Sequence, residues 1–222
     1  MSKQHFINLT PGKLMGLRQI TDEAGRFKVL AMDQSNSFKK ALRSMYEKAG
    51  QKGKEPTYSD VRDCKVEMTS EIARYASALL LDVNFGLREA LNSFALPKGV
   101  GLIGRVEASK DAGSPGAYEP GWSVEQIKKM GCSAVKLLVF LDTEDKEGTQ
   151  SQLSFAKDVA KRCAEQDILL MTEELSFPRG KETKDDESYK KRLFKNIFEA
   201  TKLLGDHCDI LKLEFPGTMG FE

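Results

Sequence analysis

Residues 134–141, which read AVKLLVFL, decide the fold class. The stretch is apolar except for Lys136, and continuous apolar runs of this length are typical of strands buried on both faces of a parallel sheet. Five further runs of the same kind, bounded by Gly, Asp or Pro, occur along the chain. The six predicted strands cover residues 28–33, 77–82, 100–106, 134–141, 168–172 and 209–215.

Helical segments alternate with these strands. Ser123 followed by Gln126 indicates a capping box before one helix, and Gly205 is expected to end another. Six successive βα units leave two architectures open, a closed β/α barrel and an open doubly wound sheet. The helices predicted from the 3.6-residue period of their apolar residues cover 61–75, 155–163 and 193–204, with a shorter one at 84–94.

Composition and motifs exclude several classes of protein. The 222-residue chain carries 34 Lys and Arg against 33 Asp and Glu, so its net charge of +1 predicts no nucleic acid and no membrane as a partner. The sequence contains neither a dinucleotide-binding Gly-x-Gly-x-x-Gly nor a P-loop. Its longest apolar run, residues 137–141, is too short to cross a bilayer, and the N-terminus lacks the apolar core of a secretory signal. We therefore expect a cytoplasmic protein.

Residues that commonly bind metals are sparse. The four cysteines form no Cys-x-x-Cys motif, which argues against zinc and redox sites. The two histidines, His5 and His207, lie at opposite ends of the chain and cannot build a site of several imidazoles. A site made mostly of carboxylates remains open.

Long polar segments at 51–59, 108–121, 142–150 and 176–189 are each expected to follow a strand and precede a helix. In a β/α barrel such loops gather at the C-terminal face, where active sites lie. Acidic residues also end several strands, and they would converge on the same face, although one or two are expected merely as helix caps. These residues are Asp33, Asp82, Glu107, Asp142 and Glu173.

Two lysines are unusual because they lie inside apolar strands. Lys136 interrupts the stretch quoted above, and Lys212 lies within residues 210–215, which read ILKLEF. A buried lysine is costly unless it is paired, and burial or a cationic neighbour lowers its pKa and yields a nucleophilic amine. The alternative is a lysine at a strand end with its head in water, or one paired with a carboxylate. Glu214 shares the face of Lys212 by strand period and is a candidate partner.

Glu173 and Glu174 follow the fifth predicted strand. Only one of them can point inward, because side chains alternate along a strand. An inward carboxylate beside a lysine amine could move protons to and from a hydroxyl group. The alternative is a helix cap or a surface carboxylate, and this is the expected reading for Glu174.

The chain resembles the class I (Schiff-base) tagatose-1,6-bisphosphate aldolase family, which also contains sulfofructosephosphate aldolase. Each matching motif is weak alone, but the motifs occur in the family's order over nearly the whole chain. They are residues 30–34 (LAMDQ), 75–77 (YAS), 81–82 (LD), 134–138 (AVKLL), 172–173 (TE), and 205–216, which includes LKLEFP.

The resemblance implies a (β/α)8 TIM-barrel fold and specific residue roles. Lys212 would form the Schiff base with the ketose carbonyl, and Lys136 would be the cationic neighbour that keeps Lys212 deprotonated. Glu173 would handle the hydroxyl proton during carbon–carbon cleavage. Asp33 would contact the substrate or shuttle protons.

The resemblance further assigns Gln34 and Asp82 to family positions, and we place them with Glu214 in substrate binding. It implies no metal and no other cofactor, because the protonated iminium is the electron sink. The implied partner is a small sugar phosphate, and a second copy of the chain is possible.

Two departures from the family pattern stand out. The family usually reads Asp-Gln-Arg where this chain has Ser35 after Gln34, which puts substrate anion binding in doubt. The chain also ends at Glu222, just after the sixth predicted strand, whereas a full barrel needs about 250 residues. We expect a single barrel domain over residues 1–222 that is truncated, with strands seven and eight missing and two sheet edges exposed. A partner chain could complete it.

Three functions remain open from the sequence. The first is a Schiff-base aldolase that cleaves a phosphorylated ketose to dihydroxyacetone phosphate and a three-carbon aldehyde. The second is a catalytically inactive homologue that acts as a binding or regulatory protein. The third is another Schiff-base barrel enzyme, such as a sulfofructosephosphate aldolase, a transaldolase-like enzyme or a deoxyribose-phosphate-aldolase-like enzyme.

Overall fold

All six predicted strands form, and they pair side by side as one parallel sheet in chain order. The computed structural model describes residues 9–215. Within this part of the chain the first and last strands do not pair with each other, so the sheet is an open half-barrel. The strands are β1 (Val29–Met32), β2 (Ala78–Asp82), β3 (Gly101–Arg105), β4 (Ala134–Phe140), β5 (Leu169–Leu175) and β6 (Ile210–Lys212).

Helices precede and connect the strands. None of the helices within residues 9–215 is long and apolar enough to span a bilayer. They are α1 (Pro11–Ile20), α2 (Asn36–Lys48), α3 (Tyr58–Ile72), α4 (Leu87–Asn92), α5 (Val124–Lys129), α6 (Lys146–Glu165) and α7 (Glu187–Leu204).

Two of these helices, α1 and α2, are missing from the sequence-based prediction. The α2 helix has an apolar stripe at helical spacing that the prediction overlooked, and of this stripe only Leu42 is buried; its residues are Phe38, Ala41, Leu42, Met45 and Tyr46. The α1 helix begins with Thr10 as its cap and Pro11 at its first position, which are favourable start signals in a short, weakly patterned segment. Because α2 intervenes, residues 51–59 follow a helix, and their predicted place after a strand is wrong.

Several predicted boundaries also change. The β5 strand continues to Leu175, three residues beyond its predicted end at Thr172, because its ladder with β4 runs on to the Phe140–Leu175 pair. The β6 strand ends at Lys212 rather than at Phe215. Gly205 does end α7, but with a right-handed φ of −56° followed by a 3₁₀ turn, so it is not the left-handed cap that a helix-ending glycine usually provides.

The sheet has an apolar layer on each face. One layer lies between the sheet and the helices, where Leu79 of β2 and Val135 of β4 belong to the same core as Val159 of α6. The other lies inside the half-barrel, where Ile20 of α1 joins apolar side chains of β2 to β5. Gly101 allows this close approach, because a Cβ at that position would lie 2.3 Å from the carbonyl oxygen of Gln19. The α1 helix therefore closes the N-terminal end of the interior, which leaves the other end for a site.

The α7 helix buries a narrower stripe than predicted. Ile197 and Leu204 are buried, as their spacing predicts. Phe194 and Phe198 belong to the same predicted stripe, yet they are exposed. They lie on a part of the helix that the described sheet does not cover.

Candidate active site

A cavity of about 380 Å³, lined by charged and apolar side chains, opens at the carboxyl ends of the strands. Side chains at positions 136, 138 and 140 of β4 line it with Glu173 and Leu175 of β5, because alternate residues of a strand share a face. Lys212 of β6 and Asp33 after β1 form further parts of the wall. The volume lies within the range of small-molecule sites. Both lysines singled out from the sequence therefore reach one cavity.

Lys136 lies at the centre of the site and is almost completely buried. Its Nζ is 2.9 Å from Asp33 Oδ2, 3.1 Å from Glu107 Oε1 and 3.1 Å from Glu173 Oε2. Burial alone lowers the pKa of Lys136, but these three carboxylates more than offset it, so the pKa is raised above its usual value. Lys136 is therefore a fixed cation.

Two of the carboxylates around Lys136 hold protons differently. Burial raises the pKa of Asp33, but Lys136 and Arg105 outweigh that effect and the pKa is lowered. Burial is stronger at Glu107 and raises its pKa despite the same two cations. Glu107 Oε2 has no hydrogen-bond partner among residues 9–215. The site therefore combines a stable carboxylate with one that holds a proton more readily.

Glu173 connects the two lysines. Its Oε1 accepts a hydrogen bond from Lys212 Nζ, and its Oε2 faces Lys136 Nζ. Glu173 and Lys212 are paired residues of β5 and β6, so the sheet register fixes this contact. The Lys212 side chain is 43% exposed, against 2% for Lys136. Lys212 therefore presents the amine that a small molecule can reach.

Asp82 lies outside the cavity and acts on it indirectly. Its buried carboxylate pairs with Lys65 Nζ of α3 and accepts hydrogen bonds from two backbone N–H groups of the following turn. The Lys65 amine also donates to the carbonyl oxygens of Met32 and Gln34, each at 2.8 Å. These carbonyls flank Asp33. The Asp82–Lys65 pair therefore holds the segment that carries Asp33, and a direct substrate contact by Asp82 has no support in this arrangement.

Gln34 and Glu214 differ in position. The exposed side chain of Gln34 lines the cavity. Glu214 lies beyond the end of β6, where strand alternation no longer applies, and it accepts a hydrogen bond of 2.9 Å from the backbone N–H of Ser176. Its other oxygen is 3.8 Å from Lys184 Nζ. The expected pairing of Glu214 with Lys212 is therefore not formed, and the structure does not bring Glu214 into the cavity.

Glu174 faces away from the cavity, as alternation along β5 predicts for one of the two neighbouring glutamates. Its predicted place at the surface is wrong, because the side chain is fully buried. One oxygen accepts a hydrogen bond from Ser176 Oγ, and the other has no partner within residues 9–215. Burial, with a smaller contribution from Glu214, raises the pKa of Glu174 to about 7.

Replacing Glu174 by glutamine is expected to stabilise the protein above neutral pH. The folded-state pKa of about 7 lies above the usual value, so the folded state binds the proton more tightly and loses stability as pH rises through that range. At pH 8 the free energy of unfolding should rise by roughly 1–3 kcal/mol. Urea unfolding at pH 5 and pH 8 measures the change, with the exposed Glu147→Gln as control. An equal change at both pH values would contradict the assignment.

The sequence-based prediction gave no role to Arg105 and treated Glu107 only as one of several acidic strand ends. Both lie at the cavity, and Glu107 contacts Lys136 directly. Residues 101–106 read GLIGRV, so Arg105 is a charged residue within an apolar run. The same signal singled out Lys136 and would have identified Arg105.

Within residues 9–215, no group of three or more His, Cys, Asp or Glu side chains is arranged to hold a metal ion. Asp33, Glu107 and Glu173 do converge at the cavity. The ammonium group of Lys136 lies among these three carboxylates.

The fold and the cavity define a β/α-barrel type of protein with a lysine–carboxylate centre. A family model described as DeoC/LacD family aldolase matches residues 27–220. The chain therefore belongs to the DeoC/LacD family of aldolases, and it is homologous to class I aldolases. The resemblance seen in the sequence is thereby confirmed.

Two similar proteins carry the name tagatose 1,6-diphosphate aldolase. The protein from Streptococcus agalactiae, named tagatose 1,6-diphosphate aldolase 2, is 31% identical over 216 residues. The protein from Lactococcus lactis is 30% identical over 216 residues. Each match covers 94% of this chain and 64% of the relative. The chain thus spans somewhat less than two thirds of the length of these relatives.

Solved structures support the barrel fold. A Schiff-base-forming fructose-1,6-bisphosphate aldolase superposes with a TM-score of 0.59 at 15% identity, over 92% of this chain and 72% of that one. An archaeal fructose-1,6-bisphosphate aldolase with its catalytic lysine bound to a carbinolamine intermediate gives a TM-score of 0.57 at 14% identity, over 92% and 71%. These likenesses show the fold, with six parallel strands of a TIM-type barrel present here.

Proposed function

We propose that this protein is a class I aldolase that cleaves a phosphorylated ketose through a Schiff base on Lys212. The observation that carries the proposal is the contact between the accessible Lys212 amine and Glu173, which also faces the permanent cation Lys136. A nucleophilic amine needs a neighbouring group that can take and return its proton. Glu173 is placed to do this, because one of its oxygens contacts Lys212 and the other faces Lys136.

The protons of the reaction balance within this pair. Transfer of one proton from Lys212 to Glu173 leaves a neutral amine, which attacks the ketose carbonyl. The attack forms the carbon–nitrogen bond, and a second amine proton passes from nitrogen to the alkoxide oxygen to give a carbinolamine hydroxyl. Glu173 returns its proton to that hydroxyl, so water leaves and a protonated iminium remains. The same carboxylate then accepts the proton of the substrate hydroxyl while the carbon–carbon bond breaks. The electron pair of that bond moves to the iminium and forms an enamine, and the aldehyde departs.

The second half of the cycle restores the enzyme. Glu173 gives its proton to the enamine carbon, which regenerates the iminium. Water then adds to the iminium and releases the ketone, and Lys212 recovers its protonated amine. We assign Asp33 and Gln34 to contacts with the substrate hydroxyl groups, because both line the cavity beside Lys136. The 2.9 Å contact with Lys136 fixes the position of the Asp33 carboxylate.

The names of the relatives support a ketose 1,6-bisphosphate of the tagatose type as substrate. Its cleavage would release dihydroxyacetone phosphate and a phosphorylated three-carbon aldehyde. Borohydride reduction in the presence of dihydroxyacetone phosphate, followed by peptide mapping, tests the proposal. The expected result is one reduced adduct on the peptide that contains Lys212. An adduct on another lysine, or none, would contradict it.

Replacing Glu173 by glutamine is expected to slow turnover strongly. The amide keeps the shape of the carboxylate but cannot accept the hydroxyl proton, so kcat for ketose cleavage should fall about 10²- to 10⁴-fold. A coupled assay of aldehyde release measures the effect. Glu182→Gln offers a matched control, because Glu182 pairs with Arg192 away from Lys212 and Lys136. Turnover at the wild-type rate in Glu173→Gln would remove Glu173 from the mechanism.

A catalytically inactive binding protein is the second candidate. The observation that favours it is the position of Lys212 on an edge strand of the open half-barrel, where its side chain is partly exposed. This candidate predicts sugar phosphate binding without aldehyde release. Measurable cleavage of any ketose phosphate by the chain would exclude it.

A further inference from the structure

A second group of cations lines the same cavity on the side of β1 and β3. Arg105 lies on β3, and two strands, β4 and β5, separate it from Lys212 on β6. Lys40 on α2 and Lys110 in the loop after β3 are exposed and line the same part of the wall. Neither Arg105 nor these two lysines has a part in the reaction described above.

The Arg105 guanidinium is buried, yet most of its partners are neutral. Nη1 donates to the carbonyl oxygen of Asp33 at 2.7 Å and to Ser109 Oγ at 3.0 Å. Nη2 donates to Ser35 Oγ at 3.2 Å and more weakly to Glu119 Oε2 at 3.4 Å. Nε has no hydrogen-bond partner within residues 9–215 and lies 3.9 Å from a Glu107 oxygen. Among the residues that the structure describes, no carboxylate binds this guanidinium in the two-pronged geometry that arginine favours.

Polar groups around Arg105 favour an anion. Ser35 is the cap residue of α2, but its side chain makes no capping hydrogen bond, so the first turn of this 13-residue helix keeps N–H groups free of a side-chain cap. Asn36 and Ser37 of that turn line the cavity. A helix start beside a buried guanidinium is a favourable environment for an oxyanion.

The Arg105 guanidinium of β3 lies directly against Ser35. The small serine side chain leaves space for it.

We propose that Arg105, with Lys40, Lys110 and the first turn of α2, binds the tetrahedral oxyanion at the end of the substrate remote from the carbonyl carbon. Arg105 is then the residue that sets the preference for an anionic aldehyde portion. The assignment of this anion to a substrate rests on the proposed function of Lys212. Phosphate and sulfonate share the chemistry that the cluster recognises.

Isothermal titration of the whole chain with inorganic phosphate, and separately with methanesulfonate, tests the anion site without any Schiff-base chemistry. Arg105→Ala should weaken binding at least about tenfold. Arg88→Ala is the matched control, because Arg88 is an exposed arginine of α4 that does not line the cavity. This variant should bind the anion with the affinity of the wild type. Circular dichroism verifies that each variant is folded.

Lys40→Ala is the second variant, because Lys40 is exposed and its loss should leave the fold intact. Its affinity for the anion should fall about threefold or more. Binding of either anion that depends on both Arg105 and Lys40 supports the site, and the tighter of the two identifies the anion preferred. Absence of binding by the wild type, or unchanged affinity in folded Arg105→Ala and Lys40→Ala, would overturn it.

A kinetic comparison connects the site to the substrate. In the aldol addition direction, wild-type protein should prefer a three-carbon aldehyde with a terminal phosphate over the uncharged aldehyde. The measured quantity is kcat/KM for the phosphorylated aldehyde divided by kcat/KM for the uncharged aldehyde. Arg105→Ala should reduce this ratio at least about tenfold, and Arg105→Lys should reduce it less. An unchanged ratio would overturn the role.

The two proposals fail separately. Arg105-dependent anion binding without an adduct on Lys212 would keep the anion site and reject the aldolase mechanism. An adduct on Lys212, together with anion binding that is unchanged in Arg105→Ala, would keep the aldolase mechanism and reject the anion site.

Discussion

Replacing Lys212 by methionine is expected to abolish the borohydride-reducible adduct with dihydroxyacetone phosphate. Methionine preserves the length and apolar stem of lysine but has no amine, so no iminium can form. Ketose cleavage should fall at least about 10³-fold, because the covalent route is lost rather than slowed. Mass spectrometry of the reduced protein and an assay of aldehyde release measure the two effects.

The fold of this variant should survive. The Lys212 side chain is partly exposed, and Glu173 keeps its 3.1 Å contact with Lys136 when Lys212 is absent. The melting temperature should therefore change by no more than about 3 °C. Lys157→Met, at an exposed position of α6, controls for loss of a lysine. An adduct that persists in Lys212→Met would assign the Schiff base to another lysine.

Replacing Lys136 by methionine is expected to cause the largest loss of stability among substitutions in the site. The change leaves the carboxylates of Asp33, Glu107 and Glu173 close together without their shared cation. Removing one partner of a buried ion pair typically costs about 3–5 kcal/mol. For a chain of this size that corresponds to a fall in melting temperature of roughly 6–20 °C. Thermal and urea unfolding measure the loss.

The pH dependence of this variant gives a sharper test. Without Lys136 the buried carboxylates of Asp33 and Glu107 lose the cation that lowers their pKa values, so both folded-state pKa values rise and the variant gains stability as pH falls. In the wild type Asp33 has a pKa lowered from its usual 3.8, so its stabilising contribution stays constant from pH 8 to pH 5 and is lost only at lower pH. The stability difference between the two proteins should shrink from pH 8 to pH 5.

A double substitution checks the same reasoning at one pH. Lys136→Met combined with Glu107→Gln should be more stable than Lys136→Met alone, because one unpaired charge is removed. Lys136→Met that is as stable as Lys157→Met, or a double variant that is less stable than the single one, would contradict the assigned charges.

The sheet could be predicted from the sequence because its strands are continuous apolar runs, and the two lysines stood out against that background. The contacts of Glu214 could not be predicted in this way, since they depend on where β6 stops pairing rather than on alternation. The buried ion pair of Lys65 with Asp82 could not be predicted either. A lysine in a helix is usually exposed, and only the packing of α3 on β2 brings Lys65 beside Asp82. The contact of Glu107 with Lys136 could not be predicted either, because it depends on β3 and β4 being neighbours in the sheet.

The α1 helix that closes the half-barrel has a consequence for biosynthesis. Although α1 is translated before the strands that it contacts, it packs on β3 to β5, and Lys13 on it pairs with Asp209, which lies 196 residues later in the chain. The docking surface of α1 is therefore completed only after β3, β4, β5 and Asp209 have emerged. Contacts between residues so distant in the sequence form slowly. The nascent chain must therefore keep α1 undocked until the segment that carries Asp209 has emerged.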